Sequence, residues 1–181
     1  MRELDDISKE ELRDLLGKGW LTHDGAWFFN TAAEFGIDAA NRLNKAAIKT
    51  MAPMEMSRTR RVLGIDHEGI ESFSEIEEFT FKALHLIMPR SVSSRMHLTS
   101  PEFNVIRWDW EEGLCFAFRG MQQIGLLDGY ECGVIYRLEC WLEALGSRSS
   151  SSHGRLPVSC IRPASAQGRS AFSSSAKATS H

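Results

Sequence analysis

The chain has 181 residues, of which 43% are hydrophobic and 25% charged, with a formal net charge of -3. That length suits one domain of ordinary size, and mild acidity leaves no electrostatic footprint for nucleic acid or an anionic membrane as partner. No apolar run approaches the ~20 residues that span a bilayer. The start, MRELDDISKEEL, is charged and lacks the apolar core of a signal peptide, so a cytoplasmic protein is expected. In that compartment Cys115, Cys132, Cys140 and Cys160 are mostly reduced. None forms a C-x-x-C pair, so no structural zinc site is indicated and no cofactor is expected.

Taken in order, Ser8 begins S-K-E-E-L, an N-cap with Glu11 at the third helical position. A short helix with Leu12, Leu15 and Leu16 is predicted to end near Gly17 or Gly19. Thr22 or Asp24 then caps a second helix whose stripe includes Trp27, Phe28, Thr31 and Phe35, stopped by Gly36. Asp38 caps a third, carrying Ala40, Leu43, Ala47 and Met51. Pro53 interrupts that helix or restarts it at a first turn. Ser72 or Ser74 caps a fourth, with Ile76, Phe79, Thr80, Ala83, Leu84 and Ile87 on its buried face and Pro89 at its close.

After Pro89 the apolar period changes from helical to two. Val92, Ser94, Met96 and Leu98 alternate with polar positions, Ser100-Pro101 signals a turn, and Ile106, Trp108 and Trp110 share one face of a second strand. An antiparallel hairpin is expected. Leu114 to Ile124 is helical by pattern and ends at Gly125.

The last helix, Tyr130 to Leu145, organises the chain. Val134, Ile135, Leu138, Trp141, Leu142 and Leu145 form one broad stripe, Asp128 with Glu131 is placed to cap the start, and Gly146 stands where a left-handed terminal residue is wanted.

From Ser147 onward the composition changes: serines abound and no acidic residue occurs. A disordered tail fits that composition. A sharper reading starts from the hairpin, because two strands alone are marginal and a further strand is wanted after Leu145. With Gly146 read as GGG and permissive codons after it, the neighbouring frame spells Val-Glu-Val-Glu-Phe-Glu-Pro, a clean alternation. Residues 1–146 are therefore expected to form a single α+β domain, and residues 147–181 a disordered or out-of-frame tail.

Several residues could carry chemistry. His23 and Asp24 are an imidazole and a carboxylate near Trp27, suited to a base beside an aromatic wall. Equally, Asp24 serves as a helix cap with His23 in solvent. Cys132, in the first turn of the last helix, would have its thiol pKa lowered by the helix dipole and is the best nucleophile candidate. Cys115 and Cys140 either line a site or act as small buried hydrophobes. Trp108 and Trp110 either floor an apolar ligand cavity between sheet and helices or belong to the core. Arg95, His97, Arg107 and Asp109 either orient a carboxylate ligand or face water. Asp66, His67 and Glu68 lack a second half with metal-ligand spacing, so no metal is expected.

The motif W-x-x-H-D-G-x-W-F at Trp20 to Phe28, the region of Asn41, Lys45 and Ala46, the A-P-M-E segment at Ala52 to Glu55, and D-G-Y-E-C-G-V-I-Y-R-L-E-C-W-L-E-A-L-G at Asp128 to Gly146 carry a resemblance. Over Asp14 to Gly146 the chain resembles a prokaryotic family of small uncharacterised cytosolic proteins. That family is distantly similar to the aminothiazoline carboxylate hydrolase-like proteins, which open a thiazoline ring by hydrolysis. The resemblance implies an α+β domain with helices on an antiparallel sheet, and a strand with a cysteine-containing segment after the last helix. The chain departs at that last point, and the resemblance assigns no catalytic residue.

The expected fold is α+β, with N-terminal helices packed with a small antiparallel sheet and two C-terminal helices. The expected function is binding of a small-molecule ligand in an aromatic pocket between helices and sheet, with Asp24, Trp27, Trp108 and Cys115 in contact. The alternative is a hydrolase acting on a small cyclic or amide substrate through Cys132 and His23.

Overall fold

In the computed structural model of the chain, residues 2–65, 72–111, 113–146, 148–151 and 170–173 are described, the last two stretches as backbone. A short 3-10 turn at Leu4–Asp6 precedes α1 (Lys9–Phe35), α2 (Ile37–Val62), α3 (Phe73–Ile87) and α4 (Arg90–Ser93). Then come β1 (Met96–Glu102), β2 (Val105–Trp110), α5 (Phe116–Gln123) and α6 (Gly133–Ala144), followed by β3 (Arg148–Ser151) and β4 (Ser170–Ser173). The fold is α+β.

Both serine caps read from the sequence form. Ser8 Oγ accepts the Glu11 N–H while the Glu11 carboxylate accepts the Ser8 N–H, and Ser72 and Glu75 repeat the arrangement on α3. Each such box satisfies two orphan donors and contributes about 1 kcal/mol.

Where two helices were expected before Gly36, one runs unbroken for 27 residues. Gly17 does not end it. A Cβ there would lie 2.8 Å from Pro89 Cγ, so this glycine exists to let α1 meet the end of α3, and the roughly 1 kcal/mol propensity cost is offset by that contact. Asp24 consequently sits inside a helix and caps nothing. Gly36, at φ 85°, stops α1 and is itself the N-cap of α2, a role expected of Asp38. Pro53 lies inside α2 without ending it. Ala52 and Met56 on either side of it are 1% and 2% exposed, and their burial holds the helix across a residue that removes one ladder bond.

The stretch expected to begin a strand at Val92 forms α4 instead, and β1 starts at Met96. Ser100 and Pro101 lie within β1, at a register shift between Thr99 and Glu102. The turn falls at Phe103 and Asn104, where Asn104 takes φ 63°, a left-handed conformation that asparagine tolerates. β1 and β2 pair antiparallel as expected, Met96 opposite Trp110 and Leu98 opposite Trp108.

Backbone of the segment after Gly146 joins this hairpin. β4 pairs antiparallel with β2, Ile106 opposite Ser170, and β3 pairs with β4, giving the order β1-β2-β4-β3. A strand does follow α6 where one was wanted, and at these positions the tail contributes to the body. The rest of 147–181, Cys160 included, and the Asp66-His67-Glu68 loop lie outside the described residues.

The core is arranged around α6. Leu138, Trp141 and Leu145 pack with Ile48 and Met56 of α2 and Phe79 and Leu84 of α3. On another face Leu142 meets Ile106 of β2 and Ile76 of α3. Phe28, Ala32, Ala40, Met121 and Tyr130 form a second cluster at the N-terminal end of α6. The helix starts at Gly133, later than expected, and a Cβ at 133 would lie 2.6 Å from Asn44 Nδ2 and 3.3 Å from Ile48 Cδ1. Only glycine lets α6 approach α2 there. Asp128 makes no cap; Cys132 is the N-cap residue and has no side-chain cap bond.

Candidate functional site

Arg137 falls on the same row of α6 as Val134 and Trp141, at helical spacings of three and four, and so points where the apolar stripe points. It is 8% exposed. Its Nη2 lies 3.7 Å from Asp24 Oδ2 of α1, its Nη1 lies 3.8 Å from Glu55 Oε1 of α2, and its guanidinium stacks 4.4 Å from the centroid of Trp20. Glu55 is fixed from the other side, since Trp141 Nε1–H donates to its Oε2 at 2.8 Å. Three helices thus hold one guanidinium by charge and stacking, with both carboxylates beyond hydrogen-bond reach of it. Burial pulls the Arg137 pKa down, and Glu55 and Asp24 push it back up. The group keeps its charge and retains donors for a further partner.

Those donors border a cavity of about 180 Å3 enclosed by α1, α2, α3, α5 and α6. Trp20, Phe28, Phe116, Tyr130 and Trp141 give it aromatic walls, and Leu84, Ile87, Met121, Val134 and Leu138 fill the spaces between them. Asp24 and Arg137 are its charged lining residues. Gly120 lines it from α5 with open space where a Cβ would stand. Among the described residues no strand residue lines it, so Trp108 and Trp110 do not form its floor.

The opposite end, at the start of α6, is tied off. Asn41 Nδ2 donates to the Gly129 carbonyl at 2.7 Å and its Oδ1 accepts the Glu131 N–H at 3.1 Å. Glu131 pairs with Lys45, whose ammonium also stands over the Tyr136 ring. Tyr130 packs edge-on against Phe28, and its hydroxyl accepts the Gly133 N–H at 3.4 Å. Burial raises the Tyr130 phenol well above its ordinary value.

The residues singled out in the sequence scatter around this cavity. Asp24 lines it. His23 and Trp27 lie on the outward face of α1, with Trp27 50% exposed. Trp108 packs on the main core from β2. Cys115 is buried beside Ala117 and Phe116 at the start of α5. Cys132 packs with the Phe28 and Tyr130 cluster and does not line the cavity. Its expected activation is reversed: burial pushes the thiol up to about 11, although the N–H groups of Ile135 and Val134 pull the other way. Desolvation of the thiolate outweighs the helix terminus. On β2, Arg107 pairs with Asp109 at 3.2 Å, while Arg95 and His97 are exposed. Among the described residues no group of three or more His, Cys, Asp or Glu side chains could hold a metal ion, and no helix is long and apolar enough to cross a membrane.

Trp20, Glu55 and Arg137 were not singled out. A signal existed for Arg137 alone, as a charge standing in an apolar helical row. Its partners come from positions more than eighty residues earlier, and local spacing does not connect them.

Residues 5–96, just over half of the chain, match a model described as a family of unknown function, DUF6125. The matched stretch supplies Trp20, Asp24 and Glu55; Arg137 and Trp141 lie beyond it. Neither curated proteins nor solved structures give a match.

Proposed function

The chain belongs to DUF6125, a family of unknown function, and from that premise we propose that it is a small-molecule-binding protein whose ligand occupies the cavity between Trp20, Phe28, Phe116 and Trp141. The observation that carries this reading is Arg137, a largely buried guanidinium held by stacking and long ion pairs at the edge of an aromatic cavity whose other charged lining residue is Asp24. An apolar chamber with a few convergent polar groups is the usual form of a ligand site. The volume sets the scale. An apolar cavity of about 150 Å3 takes a benzene-sized molecule, whereas drug-sized ligands need roughly 300 Å3 or more. About 180 Å3 therefore suits a compact molecule, one ring or its aliphatic equivalent, bearing one polar group.

The hydrolase alternative depends on Cys132 and His23, which do not line the cavity, and no feature of the site favours it over binding.

The test uses single-ring probes: benzene, benzyl alcohol, benzylamine and benzoate, followed by ligand-detected NMR on the full chain. At least one should bind, and Gly120→Leu, which places a side chain into the cavity, should abolish that binding while keeping the fold. Binding by none of the four, or equal binding to Gly120→Leu, would contradict the reading.

A further inference from the structure

The outward face of α1 carries large exposed apolar side chains among the described residues. One helical row begins with Lys9, runs through Leu12, Leu16, His23 and Trp27, and ends with Glu34, the steps being three, four or seven residues. Leu15 and Leu16 are 66% and 64% exposed, and Trp27 is half exposed. A surface helix normally turns polar residues to that side. Neither Lys9 nor Glu34 makes an ion pair among the described residues.

The order of charges decides what fits. The row is cationic at one end, apolar through the middle and anionic at the other, so its own reverse is its complement. Two copies lying antiparallel bring Lys9 opposite the partner's Glu34 and Leu16 opposite the partner's Trp27, both on one edge of the contact. Gly19 sits near the centre with no atom within 4 Å of where its Cβ would stand, so two backbones can approach there. A parallel pairing would place Lys9 on Lys9 and Glu34 on Glu34.

We propose that the outward row of α1 is a two-fold interface at which a second copy of this chain docks with its α1 antiparallel. This isologous arrangement is the commonest way for a chain to self-associate. From Lys9 to Glu34 the helix is about 38 Å long and about 10 Å across, a strip of roughly 400 Å2 per copy. That is below the roughly 800 Å2 per partner of a standard interface and falls in the size class of weak, transient contacts. The α1 residues that line the cavity, Trp20, Leu21, Asp24, Gly25 and Phe28, are not members of this row, and the inference stands independently of any ligand.

Sedimentation velocity on the full chain, from low to several hundred micromolar, tests it. The mass should rise from 20.4 kDa toward twice that value. Leu16→Glu should stay at the monomer mass throughout. Lys9→Glu and Glu34→Lys should each weaken dimerisation about tenfold at low salt, and the two together should restore it to within about threefold of the parent. A chain that stays monomeric at every concentration overturns the proposal. So does a dimer indifferent to Leu16→Glu, or a double reversal weaker than either single one.

Discussion

The two ends of the cavity are built from similar materials and reach opposite states. At the Arg137 end a cation faces two carboxylates at 3.7 and 3.8 Å and stacks on Trp20. Among the described residues neither carboxylate is within hydrogen-bond distance of the guanidinium, and Asp24 is close to half exposed. At the Tyr130 end the Asn41 amide spans the Gly129 carbonyl and the Glu131 N–H, Lys45 meets Glu131, and the phenol takes the Gly133 N–H. The first end has donors to spare; the second has spent them on its own backbone. A buried polar group left with donors costs stability unless something else engages it. One end is arranged for recognition, and the other holds the loop before α6 in place.

Asn41→Ala breaks the closed end most severely. It removes the partner of the Gly129 carbonyl and the Glu131 N–H, two part-buried hydrogen bonds, and should cost roughly 1 to 3 kcal/mol in urea unfolding. Probe affinity should stay within about threefold of the parent. If affinity falls in step with stability, the two ends are not separate and the comparison fails.

A smaller effect sharpens the same end through pH. The folded Cys132 thiol titrates near 11 against an ordinary 9.0. Below pH 9 both folded and unfolded chains hold the proton, so the full stability is present. Between pH 9 and 11 the unfolded chain loses it first, and stability falls by about 2 kcal/mol. Cys132→Ala should lack this share of the alkaline loss while retaining that of Tyr130. Alkylation by iodoacetamide should be slow at pH 7.5 and should accelerate on unfolding. Fast modification of the folded protein at neutral pH would restore Cys132 as a nucleophile.

Local chemistry was legible in the chain, and close approach was not. Ser8 and Ser72 announce their helices because each cap and its glutamate lie within four residues. The α3 face and the antiparallel hairpin follow from periodicity, whereas the register that sets Met96 opposite Trp110 does not, because the turn expected at Ser100-Pro101 falls at Phe103 and Asn104. Gly17 and Gly19 read as the end of a short helix, yet α1 passes through both. Gly17 answers to Pro89, seventy-two residues away, and spacing along the chain cannot express that. Cys132 misled for a related reason. Its position at a helix start is local and lowers a thiol pKa, whereas its burial against Phe28 and Tyr130 is tertiary and larger. Of the recognition end, Asp24 alone was singled out, and the convergence of Trp20 and Glu55 on Arg137 depends on how α1, α2 and α6 cross.

The most direct measurement compares the parent with Arg137→Met, a change of similar length that keeps the apolar stem and removes the donors. Affinities for benzene, benzyl alcohol, benzylamine and benzoate would be measured on both proteins. In the parent the polar head group should separate the four by tenfold or more, as expected when a charged donor engages one of them. In Arg137→Met that ranking should collapse while the ring still binds. An Arg137→Met protein that keeps the parent's ranking would contradict the assignment of this end as the site of recognition.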